Sequence, residues 1–392
     1  MPLAIYALAA STFAIGTTEF VIVGLIPGIA DDLAVSLPAA GLLVSLYALA
    51  ITVGTPVFSA LTGRIPRRPL ILALMVIFTA CNLAAALAPN YHSLLAARIV
   101  MAVSHGVFFG VGAAVATSLV PKEKSGSAVA LMMGGLTVAM VVGVPLGSWI
   151  GQSFDWRMPF FLVTAMGVMA LGSLFLFVPR DIPPSPFTSF VAQMRLLGNK
   201  RLAMMYLLTA ISFGGTFVIF TFLAAILTDI TKVGDGTVNI ALMLFGAATV
   251  VGNFAGGKLT DTIGTGKAMV ATLIGLIVSF ALIAIVMRSE IGILAVIAIW
   301  GIFAFAIPPI MQDGVVKVAR LVAPDAVATA SGMNIAAFNL GISSGSFVGG
   351  QSLVGPGLTA TPYAAIAMAV AALGIASLAN RMQTQTAPSL AR

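Results

Sequence analysis

The chain has 392 residues, of which 60% are hydrophobic and 8% charged, with a mean hydropathy of +1.11. A soluble protein carries about 25% charged residues, so this composition leaves almost no polar sequence for a soluble domain and points to a polytopic membrane protein. The net charge of +7 does not signal nucleic-acid binding, because the basic residues sit at the ends of apolar segments and form no long run.

The first apolar run, residues 3–25, is long enough to cross a bilayer as a helix. It has no basic leader and no small-residue cleavage site, so it reads as the first span rather than a signal peptide. In chain order the further spans are expected at 38–60, 69–88, 92–119, 127–151, 158–178, 202–228, 237–257, 267–287, 291–311, 326–350 and 361–380, twelve in all. Asp31-Asp32, Pro66-Arg67-Arg68, Pro89-Asn90, Pro121-Lys122, Asp155-Trp156-Arg157 and Gly234-Asp235-Gly236 punctuate them. The single cysteine, Cys81, lies inside the third span, so no intrachain disulfide forms. The longest polar stretch, 180–201, contains Pro183, Pro184 and Pro186 and an amphipathic piece from Phe190 to Leu197. It is expected to be a cytoplasmic linker, partly lying on the membrane, between a first half (1–179) and a second half (202–392).

Charge tests the count. With the N-terminus in the cytoplasm, the inner segments hold 15 basic residues and the outer loops only Arg157, Lys232 and Arg288. This is the asymmetry that the positive-inside rule demands, and shifting the count by one span would scramble it.

The halves resemble each other. Ser59–Arg68, after span two, reads SALTGRIPRR, and Gly257–Lys267, after span eight, reads GKLTDTIGTGK; their Leu-Thr pairs are 198 residues apart. Span five carries Gly143, Gly147 and Gly151, and span eleven carries Gly341, Gly345 and Gly349 at the same separation. Small residues at every fourth position line one helix face, where another backbone can approach and where two rocking halves can slide.

These features resemble the major facilitator superfamily over essentially the whole chain. The two loops resemble its Gly-x-Leu-Ala-Asp-Arg-x-Gly-Arg-Lys motif, and Arg98 with His105-Gly106 resembles its fourth-span motif with a buried arginine. Gly143-Val-Pro145-Leu-Gly147 resembles the fifth-span motif of proton-driven antiporters. Gly16–Phe20 and Asn334–Asn339 resemble the arabinose-efflux-type branch of the twelve-span drug:proton antiporters. The resemblance implies an all-α fold of two pseudo-symmetric six-helix halves and gating roles for Arg64, Arg67, Arg68, Gly143, Pro145, Gly147 and Asp261. The first loop departs from the motif: Gly63 stands at the acidic position and Pro66 at the second glycine.

Charges inside apolar runs are the candidates for chemistry. A carboxylate at the bilayer centre costs roughly 3 kcal/mol on insertion scales, and such groups are functional by default. Glu19 and Arg98 are expected at similar depth, paired, with Glu19 as the group that exchanges a proton because arginine does not deprotonate. A static ion pair is one alternative, and an Arg98 that snorkels to the interface is another. His105, seven residues beyond Arg98, falls near the same face, as a second protonation site or a polar wall of the cavity, or else as a neutral histidine bonded to a backbone carbonyl. Thr17, Phe20, Asn334, Phe338 and Asn339 are candidate cavity-lining residues. Metal-ligand spacing and a phosphate-binding glycine loop are both lacking, so no cofactor, enzyme activity or ATP-driven transport is expected.

The expectation is a proton-coupled exporter of a small molecule, such as a sugar or a drug. It would sit as a monomer in a bacterial inner membrane, with both termini cytoplasmic, protons as co-substrate and no nucleic-acid partner. An uptake symporter and an uncoupled facilitator are the alternatives on the same fold.

Overall fold

The computed structural model describes residues 1–182 and 190–384, with side chains through residue 379. Pro183, Pro184, Pro186 and Arg392 lie outside the described residues. Every regular element among the described residues is a helix. Spans one to four are Leu3–Asp32, Leu37–Thr62, Arg67–Ala86 and Tyr91–Ser118. Span five is Ser125–Val138 and Val144–Ser153 joined by a π-helical turn, Ala139–Gly143, and span six is Met158–Phe177. After a short linker helix, Phe190–Leu197, spans seven to twelve are Lys200–Phe220, Asp235–Ile263, Thr265–Val286, Glu290–Val322, Val327–Val354 and Thr361–Thr384. Eleven of these segments are long and apolar enough to cross a membrane. The twelfth, Val327–Val354, is diluted by its glycines, serines and asparagines.

Polar caps set several helix starts. Ser36 accepts from the Ala39 amide ahead of span two, Asn90 and Ser93 form a capping box on span four, and Asn199 and Ser289 cap spans seven and ten. In the loop after span eight, Gly264 has φ +80°, which a residue with a Cβ rarely adopts. Pro66, 198 positions earlier, has φ −55°, so the two halves turn this corner differently.

With an even number of spans, the N-terminus and the end of span twelve lie on one face, the termini face; the other is the far face. The halves meet on the far face and at mid-depth. Asn239 of span eight donates to Gln152 of span five at 2.9 Å. Ser45 of span two donates to the Ser343 carbonyl of span eleven at 3.0 Å, and Thr52 to the Ala336 carbonyl at 3.3 Å.

The glycine faces do not lie between the halves, contrary to the sequence expectation. A Cβ on Gly143 would strike Thr17 of span one, and one on Gly147 would reach Val21 Cγ2 at 2.5 Å. Likewise Gly341 and Gly349 sit 2.5 Å, measured from a built Cβ, from the carbonyls of Ala210 and Val218 on span seven. Spans one and five, and spans seven and eleven, are thus clamped inside their own halves. The two glycine faces correspond across the halves, and each packs two helices of the same half closely together.

Candidate functional site

Span one runs to Asp32 rather than ending at residue 25, and this changes the depth of Glu19. The residue lies 13 positions before the far end of its helix, roughly 20 Å along the axis. Arg98 lies seven positions from the far end of span four, roughly 10 Å, and His105 fourteen positions, roughly 21 Å. Glu19 is therefore level with His105. His105 Nε2 lies 3.9 Å from Glu19 Oε2, whereas Arg98 makes no such contact with the carboxylate. That gap exceeds a direct hydrogen bond, and the crevice beside Glu19 has room for about one water.

Tyr47 of span two completes the network. Its hydroxyl lies 3.0 Å from His105 Nδ1, and its ring carries the Arg98 guanidinium 4.6 Å from the centroid. Arg98 is fully buried, so it does not snorkel. Its Nε donates to the Leu43 carbonyl at 3.0 Å, while Nη1 and Nη2 find no hydrogen-bond partner. Beside Glu19, Thr18 donates to Asn82 of span three at 2.8 Å and fixes the helix carrying the carboxylate. Glu19 and Tyr47 open onto a narrow crevice between the halves whose other walls are Phe20, Val23, Val44, Ala48, Phe217 and Ile342. Phe20 faces Phe217 across it, with ring centroids 6.4 Å apart.

The other expected lining residues separate. Thr17 turns away from the crevice: its hydroxyl bonds the Phe13 carbonyl and its side chain fills the space left by Gly143. Asn334 is buried within the second half, accepting from Thr209 at 2.7 Å and donating to Gln312 at 2.9 Å. Asn339 donates to its own helix at Ile335, and its Oδ1, buried, has no partner. Phe338 stacks edge-on to Phe213 at 5.1 Å, which in turn lies 5.3 Å from Phe217.

Among the gating candidates, Arg68 donates to the Phe175 carbonyl at 2.8 Å and lies over the Phe175 ring, tying span three to the end of span six. Arg64 and Asp261 are exposed and Arg67 is half-buried; none of the three makes an ion pair among the described residues. In the second half Asp313 of span ten accepts from Thr265 of span nine at 2.5 Å and pairs with Lys317 of its own helix at 2.7 Å. Pro145 follows the π-helical turn, whose Met140 carbonyl packs on Gly246 of span eight. Sequence reasoning missed Tyr47, Asn82, Gln312 and Asp313. The span expected at 291–311 stops short of Asp313, whereas the helix runs on to Val322.

The repeat shows how the halves have diverged. At the 198-residue separation, Glu19 corresponds to Phe217, Tyr47 to Phe245, Arg98 to Val296 and His105 to Phe303. The ionisable network belongs to the first half alone, and three of its four positions are phenylalanine in the second.

Twelve helices in two repeated halves, meeting around a crevice lined by a half-buried carboxylate, define a membrane transporter. The Major Facilitator Superfamily model matches residues 8–346 and 205–389. The chain is 41% identical to the MFS-type transporter YtbD of Bacillus subtilis (strain 168) over 97% of this chain and 96% of that one. It is 36% identical to the inner membrane transport protein YdhP of Escherichia coli (strain K12), with the same coverage. Against a chloramphenicol resistance protein of Streptomyces lividans it is 33% identical over 90% of each chain. The fold matches a crystal structure of a bacterial homologue of the human lysosomal transporter Spinster, inward-facing and occupied, with TM-score 0.79 and 17% identity over 96% of each chain. The chain belongs to the Major Facilitator Superfamily: it is a multi-pass membrane transporter and not an enzyme.

Proposed function

We propose that the protein is a proton-coupled antiporter of a bacterial inner membrane that exports an apolar or amphipathic small molecule, within the drug:proton antiporter branch. The observation that carries this reading is Glu19, a carboxylate at mid-membrane that faces both His105 and the crevice between the halves. A charge in that position is expensive, and a group that gains and loses a proton in each cycle is a reason to keep it. Both termini lie in the cytoplasm, because the basic residues cluster on the termini face. The structure is then closed toward the outside, where Gln152 meets Asn239. A proton entering from outside neutralises Glu19. Its release to the cytoplasm restores a carboxylate, which competes with or reorganises around the solute in the crevice.

Crevice chemistry favours an apolar cargo. Apart from Glu19 its walls are aliphatic and aromatic, and the aromatic set of Phe213, Phe217 and Phe338 extends from it. A sugar needs several convergent polar groups, and Asn334, a candidate for that task, is committed to Thr209 and Gln312. The name of the Streptomyces lividans relative agrees with an amphipathic cargo. The test is proton release from energised everted vesicles on addition of chloramphenicol, a lipophilic cation or arabinose. Wild-type protein should respond to the first or second, and Glu19→Gln should lose the response while remaining folded. A Glu19→Gln protein with wild-type proton exchange would remove Glu19 from the mechanism.

A further inference from the structure

Tyr47 touches the crevice, His105 and Arg98 together. On span two it stands between Ser45 and Thr52, and both of these bond across to backbone carbonyls of span eleven in the other half. The contact surface that must open when the halves rock is therefore anchored on either side of Tyr47.

The chemistry of the pair is directional. The phenol is buried, and His105 Nδ1 is its hydrogen-bond partner. A hydroxyl that only accepted there would leave its own proton unpaired in an apolar site, so it donates to Nδ1. A neutral imidazole with Nδ1 accepting carries its proton on Nε2, the nitrogen that faces Glu19. Tyr47 thus sets the tautomer of His105 and aims an N–H at the carboxylate. The titratable and charged groups around it are Glu19 on span one, Cys81 on span three, and Arg98 and His105 on span four, while the other half presents Phe217 and Ile342.

We propose that Tyr47 is a positioning residue that sets the proton affinity of Glu19 from the seam between the halves, acting through the tautomer of His105. This rests on the proton-coupled reading above. With the hydroxyl in place the imidazole keeps one tautomer and its N–H stays directed at Glu19; without it the proton is free to sit on either nitrogen. No bond is made or broken other than these hydrogen bonds.

The test needs no substrate. Infrared spectra of the full chain in liposomes report the protonated-carboxyl band of Glu19 against pH, and Glu19→Gln assigns it by its loss. Tyr47→Phe keeps the ring under Arg98 and removes only the hydroxyl. It should displace the Glu19 midpoint by about one pH unit, a tenfold change in proton affinity. His105→Gln should displace it too, and the double variant should go no further than the larger single effect, because both changes break one path. A Tyr47→Phe protein whose Glu19 band titrates at the wild-type midpoint overturns the inference and leaves the antiport reading standing. Additive shifts in the double variant overturn it as well. Absence of any titrating Glu19 band in the wild type sinks both readings. Thermal unfolding in detergent checks each fold, and should Tyr47→Phe not fold, an unmoved midpoint in His105→Gln is the overturning result.

Discussion

Arg98 separates function from stability at the level of one residue. A fully buried guanidinium whose two terminal nitrogens lack partners is held by the Leu43 carbonyl and the Tyr47 ring. Removing a charge from a dry site spares its desolvation, and apolar replacements of buried ionic groups are often neutral or stabilising by about 1–4 kcal/mol. Arg98→Met is therefore expected to melt at the wild-type temperature or above it, while transport falls at least about tenfold, the usual scale for losing one charge-assisted contact. A melting temperature lowered by many degrees would instead make Arg98 a structural strut. Glu19, Arg98 and His105 were legible in the sequence because a charge or imidazole inside an apolar run is conspicuous. Tyr47 was not, because an aromatic residue in a span looks the same whether its hydroxyl is structural or directs a histidine. The pairing of Glu19 with Arg98 failed for a geometric reason: hydropathy located the hydrocarbon part of span one, and the helix extends beyond it to Asp32.

Among elements, the contact between spans one and five shows what composition conveys and what it omits. The twelve helices were readable because each must bury its backbone polar groups within itself over roughly 20 apolar residues. Which way a glycine faces was not readable, since it depends on the neighbouring helix. Gly134 and Gly135 are adjacent in sequence and opposite in consequence. A Cβ on Gly134 meets open space, whereas one on Gly135 meets the Ala9 carbonyl, the Thr12 hydroxyl and, at 2.9 Å, the Phe13 amide. Thr12 already donates to the Met132 carbonyl at 2.5 Å across this contact, so neither backbone has room to retreat. Gly134→Ala should be neutral or stabilising by up to about 1 kcal/mol through helix propensity. Gly135→Ala should destabilise by about 1–3 kcal/mol through overpacking. Thermal unfolding of the two variants side by side reads the difference. Equal stability would mean that spans one and five slide freely rather than forming one body. The π-helical turn at Ala139–Gly143 was equally hidden, because it is set jointly by Pro145, which has no N–H to give, and by the approach of Gly246 from the other half.

For the molecule as a whole, two rigid halves must separate where spans two and eleven touch if transport proceeds by alternating access. Ser45 and Ser343 mark that seam: their hydroxyl oxygens lie 3.5 Å apart, and Ser45 also donates to the Ser343 carbonyl. Cysteines in their place bring two sulfurs near bonding distance without moving either backbone far. The sole native cysteine, Cys81, is on span three and is removed by Cys81→Ser. In that background, oxidised Ser45→Cys/Ser343→Cys protein should lose at least about nine-tenths of its transport. Reduction should restore it, because a covalent link far exceeds the few kcal/mol that separate conformers. The single variants under the same oxidant should keep their activity. If the cross-linked protein transports at the uncross-linked rate, this seam does not open in the cycle. The charged network of the first half and the aromatic wall of the second would then have to exchange solute through another gap, between spans five and eight, where Gln152 and Asn239 hold the far face shut.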